Sequence, residues 1–223
     1  MPSIVIAVDG TAASGKGTLA KRLARHFGFA HMDSGALYRL TALSVLDANG
    51  DPSAEADALE AARAIDLDRI ADPAIRSDVV GKYASQVAAI PSVRAALHDF
   101  QTTFLQHPPG GSLGAVMDGR DIGTVIAPNA TAKLYVDAAP AVRAYRRWLE
   151  LQGMGIARDQ AELLAELAAR DARDGSRAVS PMKKAADADL LDTTDLAIEP
   201  AFAAALALVE PKVASALKAR HRG

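Results

Sequence analysis

The stretch that decides the fold is VDGTAASGKGTLAKRL, Val8 to Leu23. It opens at the end of an apolar, β-branched run, SIVIAV (3–8), which predicts a strand buried on both faces. It continues into TLAKRLARHF (18–27), where apolar residues at helical spacing predict a helix that Gly28 ends. A strand, a glycine-rich turn and a helix therefore follow one another directly.

The turn between this strand and this helix fits the pattern G-x-x-x-x-G-K. Its glycines let backbone N–H groups turn inward without a Cβ in the way, and the helix directs its positive end at the same point. In this context the pattern predicts a cradle for the β- and γ-phosphates of ATP or another nucleoside triphosphate. The predicted ATP-binding residues are Gly10, Thr11, Ala12, Ala13, Ser14, Gly15, Lys16, Gly17 and Thr18.

The expected metal ion is the Mg²⁺ that accompanies the triphosphate. Gly17 stands where the general pattern has the Ser or Thr that contacts this ion, and Thr18 comes one residue later. The contact is therefore expected through Thr18 or through water. Asp118 or Asp33, each at the end of another apolar run, is expected to order the ion's water shell.

Four further short apolar runs follow, separated by helical patterns. They are FAHMD (29–33), GAVMD (114–118), AKLYVDA (132–138) and ADLLDTT (188–194). This alternation predicts an α/β fold with a five-stranded parallel sheet flanked by helices. Ligands gather at the carboxyl ends of such strands. The predicted ligand edge carries Asp9, Asp33, Asp118, Asp137 and Asp192.

Two segments interrupt this alternation. Residues 34–106 are mostly helical in pattern, and Ser92 after Pro91 is predicted to cap one of their helices. Residues 150–178 form a second insertion, where Asp159 with Glu162 predicts a capping box.

The composition excludes several classes of protein. The 223 residues carry a formal net charge of -2 and no cysteine, which excludes a global basic field and any disulfide or thiolate metal site. The first apolar run is too short for a signal peptide, and no run reaches the roughly 20 apolar residues of a membrane span. We expect a cytoplasmic monomer with no nucleic acid polymer and no membrane as partner.

Arginine recurs in three short polar segments. They are DSGALYR (33–39), DGRDIGT (118–124) and RDARDGSR (170–177). The second places Arg120 between Asp118 and Asp121 at a predicted strand end. Because guanidinium forks match phosphate oxygens, this position predicts a phosphate-binding arginine.

The third segment allows two interpretations. Arg170, Arg173, Asp174 and Arg177 share one helical face if the helix continues that far. Three arginines on one face bind phosphate, but an exposed charged face that forms surface ion pairs has the same pattern.

A phosphate cradle by itself also serves GTPases, motors and transporter subunits. The sequence has no Asn/Thr-Lys-x-Asp guanine reader, which disfavours a GTPase. Taken together, the motifs resemble the nucleoside monophosphate kinases, and among them the bacterial cytidylate kinases. The segments that carry the resemblance are DGTAASGKGTLAKRLA (9–24), MDSGALYR (32–39), YASQVAAIPSVRAAL (83–97), DGRDIGTVIAPNATAKLYVDA (118–138) and RDARDGSRAVSPMKKAADADLLDTT (170–194).

The resemblance covers nearly the whole chain in order, with one departure. G-K-G-T is the form of the phosphate loop typical of these kinases. Many family members carry a small antiparallel sheet between the second and third motifs. Here that interval, 34–84, has the pattern of helix and loop, so we expect a reduced, mostly helical acceptor region.

The resemblance implies a division of the chain and a role for each site residue. It implies a P-loop core (1–33, 107–149 and 179–223), a monophosphate-binding region (34–106) and a lid (150–178). By the same resemblance Ser85, Arg94 and Asp121 read a cytosine base, Arg39, Arg120 and Arg177 hold the acceptor phosphate, and Arg170 and Asp174 meet the sugar. Asp33, Ser34 and Tyr38 complete the substrate-binding set, and Lys16, Arg120 and Arg177 are the implied catalytic residues.

The implied reaction is phosphoryl transfer from ATP to CMP or dCMP. Two alternatives stay open from the sequence. One is a kinase of another small acceptor, such as UMP or shikimate. The other is a non-catalytic P-loop nucleotide-binding module.

Overall fold

The computed structural model describes residues 3–220, so the first two and last three residues of the predicted core lie outside it. Its strands are β1 (Ile4–Gly10), β2 (Ala30–Asp33), β3 (Gly114–Gly119), β4 (Ala132–Asp137) and β5 (Asp189–Asp192). Its α-helices are α1 (Lys16–Phe27), α2 (Ser34–Asp47), α3 (Glu55–Arg63), α4 (Asp78–Val87), α5 (Pro91–Gln106), α6 (Pro140–Gly153), α7 (Gln160–Gly175) and α8 (Ile198–Arg220).

The five strands form one sheet in the order β2-β3-β1-β4-β5. β1 lies at its centre and pairs in parallel with β3 and β4, and β4 pairs in parallel with β5. The predicted five-stranded parallel sheet is confirmed. In the register, Asp9 lies opposite Gly119 on one side and Tyr135 on the other, so the carboxyl ends of the central strands meet at one edge.

Two helices cover one face of the sheet. Leu19 and Leu23 of α1, with Ala205 and Val209 of α8, are buried in one apolar cluster that includes β1 residues such as Ile6. Each fully buried Leu, Ile or Val side chain contributes about 1.5–3 kcal/mol relative to exposure. This packing fixes the start of α1 beside the end of β1.

Helix α8 also bears on the membrane prediction. Among the described residues it is the one helix whose length and composition would suit a membrane span, although charged residues such as Glu199, Glu210 and Lys212 interrupt its apolar run. One such helix is weak evidence for a membrane span. Helix α8 packs its Ala201, Ala205 and Val209 against the sheet, although only 22% of its apolar window is buried.

The described chain forms two compact units. One comprises the residues up to Met32 and from Leu105 onward, and the other comprises Asp33–Phe104. The second unit, here called the helical unit, contains α2 to α4, α5 up to Phe104, and two short 3₁₀ turns, Leu67–Ala71 and Pro73–Arg76. Described residues 34–104 contain no strand, as the helical pattern predicted.

One predicted cap is wrong, and the predicted capping box is confirmed in its Asp159 half. Helix α5 begins at Pro91, because the fixed φ of proline and its missing N–H suit the first helical position. Ser92 therefore lies inside the first turn, and its hydroxyl donates to Glu55 at 2.6 Å. Asp159 does cap α7, since its carboxylate accepts from the Glu162 N–H at 3.0 Å.

Candidate active site

Carbonyl groups of the phosphate loop accept from donors within the loop and elsewhere in the same unit. The Thr11 carbonyl accepts from the Ser14 hydroxyl at 3.0 Å and from Lys16 Nζ at 3.3 Å. The Ala12 carbonyl accepts from Arg143 at 3.2 Å, and the Ser14 carbonyl from Thr193 at 3.0 Å. In a trans peptide the N–H points opposite to the C=O. The N–H groups of Ala13 and Gly15, which follow the carbonyls of Ala12 and Ser14, therefore point away from Arg143 and Thr193 and leave the other side of the loop for an anion.

The two glycines of the motif serve different purposes. A Cβ on Gly10 would lie 1.9 Å from the Val136 carbonyl oxygen, so the loop leaves β1 in direct contact with β4. Gly15 has φ 88 and precedes α1, a conformation that favours glycine. No acidic residue occupies the first turn of α1, so its positive end remains available to phosphate.

Asp174 lies at the centre of an arginine cluster in this unit. Its carboxylate accepts from Arg120 Nε at 3.0 Å and from Arg177, and Arg170 Nε lies 4.0 Å away. Burial would raise the pKa of Asp174, but the three guanidiniums outweigh it and the pKa is lowered. Within the cluster, three positive charges and one negative charge leave a formal charge of two, which suits a phosphate group.

The third arginine segment is not one continuous helical face. Helix α7 ends at Gly175, so Arg177 lies beyond it and reaches Asp174 from the following turn. Arg173 is exposed on the helix. The cluster takes its third guanidinium from Arg120, at the end of β3. The stripe predicted from spacing alone is therefore corrected: Arg120 belongs to the cluster and Arg173 does not.

In the helical unit, an aromatic ring and a guanidinium are held together. The Arg94 guanidinium lies 5.5 Å from the centre of the Tyr38 ring, and its Nη1 donates to the Ala88 carbonyl at 3.2 Å. Arg94 and Ser85 are both buried. Such ordered polar side chains inside a small helical unit are typical of a recognition site.

Arg39 is positioned by a glycine that the sequence analysis did not single out. Its Nη1 donates to the Ile75 carbonyl at 3.1 Å, and a Cβ on Gly81 would lie 3.1 Å from the same nitrogen. Gly81 thus leaves room for the guanidinium against α4. Asp33 accepts from the Ala36 N–H at 3.3 Å and caps α2, whose first residue is the buried Ser34.

Comparisons with known proteins give the family. The profile described as "Cytidylate kinase" matches residues 6–211. A cytidylate kinase of Rhodopseudomonas palustris (strain TIE-1) is 53% identical over 207 residues, which cover 93% of this chain and 96% of that relative. A cytidylate kinase of Afipia carboxidovorans is 51% identical over 207 residues, with 93% and 97% covered.

The chain belongs to the cytidylate kinase family. It is therefore a nucleotide-binding kinase, and the alternative of a non-catalytic P-loop module is set aside. An uncharacterized protein from Eubacterium ventriosum has a similar solved structure, with 12% identity, a TM-score of 0.54, and 93% of this chain and 99% of that chain covered. At that identity the likeness supports the fold alone.

The strand-end aspartates of this cytidylate kinase family member already have protein partners. Asp9 accepts from the N–H groups of Ile122 and Gly123, Asp137 from the Thr11 hydroxyl at 2.7 Å, and Asp192 from Thr194. Asp118 pairs with His31 at 2.8 Å. The edge that the sequence predicted for ligands is thus also where carboxylates hold the loops in place.

The residues present fit a magnesium ion bound together with a nucleotide. Among residues 3–220 there is no group of three or more acidic or histidine side chains that could hold a metal by itself. Mg²⁺ instead needs one or two oxygen donors, with waters and phosphates completing its shell. Asp118 Oδ2 lies 3.5 Å from where a Cβ on Gly17 would sit, so it faces the start of α1, one residue from the exposed Thr18.

Two residues that organise the phosphate loop were missed in the sequence, and Asp9 was predicted only as part of the ligand edge. Thr193, which is 2% exposed, donates to the Ser14 carbonyl, and Arg143, which is 4% exposed, donates to Ala12 and to Asp171 of α7. Asp9 holds the turn that carries Arg120 and Asp121. The only sequence signal for them was a polar residue inside or directly after an apolar run.

Proposed function

We propose that this enzyme transfers the γ-phosphate of ATP to CMP or dCMP. The observation that carries the proposal is the arginine cluster around Asp174, which shares a unit with the phosphate loop. The phosphate loop suits the triphosphate donor, and the arginine cluster suits the phosphate group of an acceptor. An acceptor phosphate oxygen attacks the γ-phosphorus, the bond to the β–γ bridging oxygen breaks, and ADP leaves with that electron pair.

The donor side uses the backbone of the phosphate loop. We assign the loop N–H groups from Gly10 to Thr18 and Lys16 to the β- and γ-phosphates. The catalytic demand in phosphoryl transfer is positioning and charge neutralisation. Lys16, Arg120 and Arg177 supply positive charge, and no strong general base is needed because a nucleoside monophosphate is already anionic near neutral pH.

On the acceptor side we assign the α-phosphate to Arg39, Arg120 and Arg177. Arg170 and Asp174 are assigned to the sugar hydroxyls, and they lie one helical turn apart on α7. Because the Asp174 carboxylate already accepts from Arg120 and Arg177, binding a sugar requires it to share these contacts. The remaining acceptor residues are Asp33, Ser34 and Tyr38.

The base is assigned to Ser85, Arg94 and Asp121. Cytosine has acceptors at O2 and N3 that a guanidinium serves, and an exocyclic amine that a carboxylate or hydroxyl accepts. Uracil has a carbonyl in place of that amine, so its carbonyl oxygen would face a carboxylate or hydroxyl oxygen, and no hydrogen bond could form between the carbonyl and the carboxylate. An unpaired buried polar group costs about 1–3 kcal/mol, or about 10- to 100-fold in selectivity.

Magnesium is the proposed cofactor, held through Thr18 and Asp118, directly or through water. When bound it neutralises charge on the β- and γ-phosphates. We also propose that residues 150–178 act as a lid that excludes water from the transferring group. We further propose that the enzyme is a cytoplasmic monomer. Size-exclusion chromatography with light scattering would test the monomeric state.

A coupled ADP-release assay with CMP, dCMP, UMP and AMP tests the proposal. We expect turnover of CMP and dCMP at least about tenfold above UMP. Arg94→Met should raise the KM for CMP or erode the cytosine preference, whereas Arg76→Met, an exposed arginine of the same helical unit, should not. Equal turnover of CMP and UMP by the wild-type enzyme would refute the base assignment.

A further inference from the structure

Asp9 lies in the central strand and is only 4% exposed, yet it bears a carboxyl group. Its Oδ1 accepts from the Ile122 N–H at 2.8 Å, and its Oδ2 accepts from the Gly123 N–H at 2.7 Å. Burial raises the pKa of Asp9 to about 6 while these two N–H groups oppose the rise, so the group is ionised at neutral pH. A buried carboxylate is costly unless it is hydrogen-bonded, and here two backbone N–H groups bond it.

Those two N–H groups begin a single π-helical turn, Ile122–Ile126. The first N–H groups of any helix lack partners within it. The preceding residue, Asp121, makes no side-chain cap to this turn. Asp9 therefore supplies the cap from a position 113 residues earlier in the chain.

Asp9 also lies beside the strand end that precedes Arg120 and Asp121. In the sheet register Asp9 lies opposite Gly119, the last residue of β3. Two residues, Arg120 and Asp121, separate this point from the bonds to Ile122 and Gly123. Asp9 thus lies beside the start of the short segment that carries them and hydrogen-bonds to its end.

We propose that Asp9 is a positioning residue that fixes the directions of Arg120 and Asp121 and thereby sets recognition of the acceptor nucleotide. The proposal rests on the proposed function, which assigns Arg120 to the acceptor phosphate and Asp121 to the base. It adds a residue, Asp9, that contacts neither the phosphate nor the base but orients Arg120 and Asp121 through the backbone.

The chemistry of this position requires a carboxylate. Asparagine of the same size offers one acceptor oxygen and one NH₂ group, so one of the two N–H groups would face a donor instead of an acceptor. The contact is also close, because a Cβ on Gly123 would lie 3.3 Å from Asp9 Oδ2 and 3.2 Å from Lys133 Cδ. The turn therefore moves when either side of this contact changes.

The test compares Asp9→Asn with Asp189→Asn, the same change in the edge strand of the sheet, where Asp189 pairs with Lys212. Amide hydrogen exchange at Ile122 and Gly123 directly reports their hydrogen bonds to Asp9. Steady-state kinetics report the KM for CMP, the KM for ATP, and the ratio of kcat/KM for CMP to that for UMP. Because CMP and UMP carry the same monophosphate group, its ionisation affects both values of kcat/KM equally and cancels in their ratio.

For Asp9→Asn we expect faster exchange at the amide that loses its acceptor, a KM for CMP raised about tenfold, a CMP-to-UMP ratio lowered about tenfold, and a KM for ATP changed by less than about twofold. Asp189→Asn should leave all four unchanged. Unchanged kinetics in a folded Asp9→Asn protein would overturn the proposal, as would equal losses in the two variants.

A second variant keeps the test decisive if Asp9→Asn does not fold. Gly123→Ala leaves Asp9 intact and pushes the turn away from its carboxylate by a few tenths of an ångström, so the same losses are expected on a smaller scale. A wild-type enzyme without any cytosine preference would refute the proposed base readers. The exchange rates and the KM for the acceptor would still decide the role of Asp9.

Discussion

Arg143 of α6 and Asp171 of α7 form an ion pair of 2.5 Å, and the same Arg143 nitrogen donates to the Ala12 carbonyl of the phosphate loop at 3.2 Å. Arg143 also donates from Nε to the Ala138 carbonyl at 2.9 Å. One buried guanidinium therefore ties the phosphate loop to the helix that carries Arg170 and Asp174. Removing its carboxylate leaves a buried positive charge with neutral partners.

We therefore expect Asp171→Asn to lower the free energy of unfolding by about 2 kcal/mol and to raise the KM for ATP. Urea unfolding and steady-state kinetics measure the two effects. The control is Glu166→Gln on the same helix, whose surface pair with Arg158 should contribute less than about 1 kcal/mol. Equal stabilities of the two variants would show that the pair does not tie these elements.

Lys16→Met should lower kcat by about 100- to 1000-fold, because it removes the positive charge that we assign to the donor phosphates. In the described structure Lys16 Nζ donates to the Thr11 carbonyl, so its ammonium group already lies at the loop. Lys21→Met, an exposed lysine of α1, is the matched control and should retain full activity. The unfolding midpoint should stay unchanged in both, and wild-type turnover by Lys16→Met would contradict the assignment.

Arg177→Met should raise the KM for CMP by about 10- to 100-fold, because charge-assisted contacts to phosphate contribute about 1.5–3 kcal/mol each. Arg173→Met changes the same residue type four positions earlier, but on the exposed side of α7. We expect it to behave as wild type. Initial rates at varied CMP distinguish the two, and a similar KM for both variants would restore the interpretation of this segment as an ion-pairing surface.

Asp174→Asn should lower the free energy of unfolding by about 3 kcal/mol at neutral pH, because the clustered guanidiniums lose their shared counter-charge. The arginines lower the folded-state pKa of Asp174 below 3.8. Its stabilisation is therefore fully present above that value and is lost as the pH falls through the lower, folded-state value. Urea unfolding of wild type and variant should show a constant gap from pH 7 to pH 5 that narrows only below about pH 4.

Gly81→Ala should separate stability from acceptor binding. Alanine in a helix interior is favoured over glycine by about 0.5–1 kcal/mol, but its Cβ would crowd Arg39 Nη1 at 3.1 Å. We expect a higher free energy of unfolding together with a KM for CMP raised about threefold, since small displacements of binding groups cost affinity. Gly153→Ala in α6, where a Cβ meets no atom within 4 Å, should leave the KM unchanged.

The local sequence was enough for the sheet, the phosphate loop and the helical character of residues 34–104. An apolar β-branched run, a glycine pattern and a helical stripe each depend on neighbours a few positions away, and backbone sterics and burial act at that range. The same reasoning failed at Ser92 and at the helical stripe that was to continue to Arg177. There the outcome depended on where a helix begins or ends, and element boundaries are weakly coded by periodicity.

What the sequence by itself determined is the order of strands and helices and the presence of a phosphate loop, because these follow from local conformational preference. Only the tertiary structure decided which groups hold that loop and the Arg120–Asp121 turn. Asp9 meets Ile122 across 113 residues, Arg143 meets Ala12 across 131, and Thr193 meets Ser14 across 179. Such contacts form only when the strands assemble side by side, so the spacing of residues along the chain does not predict them.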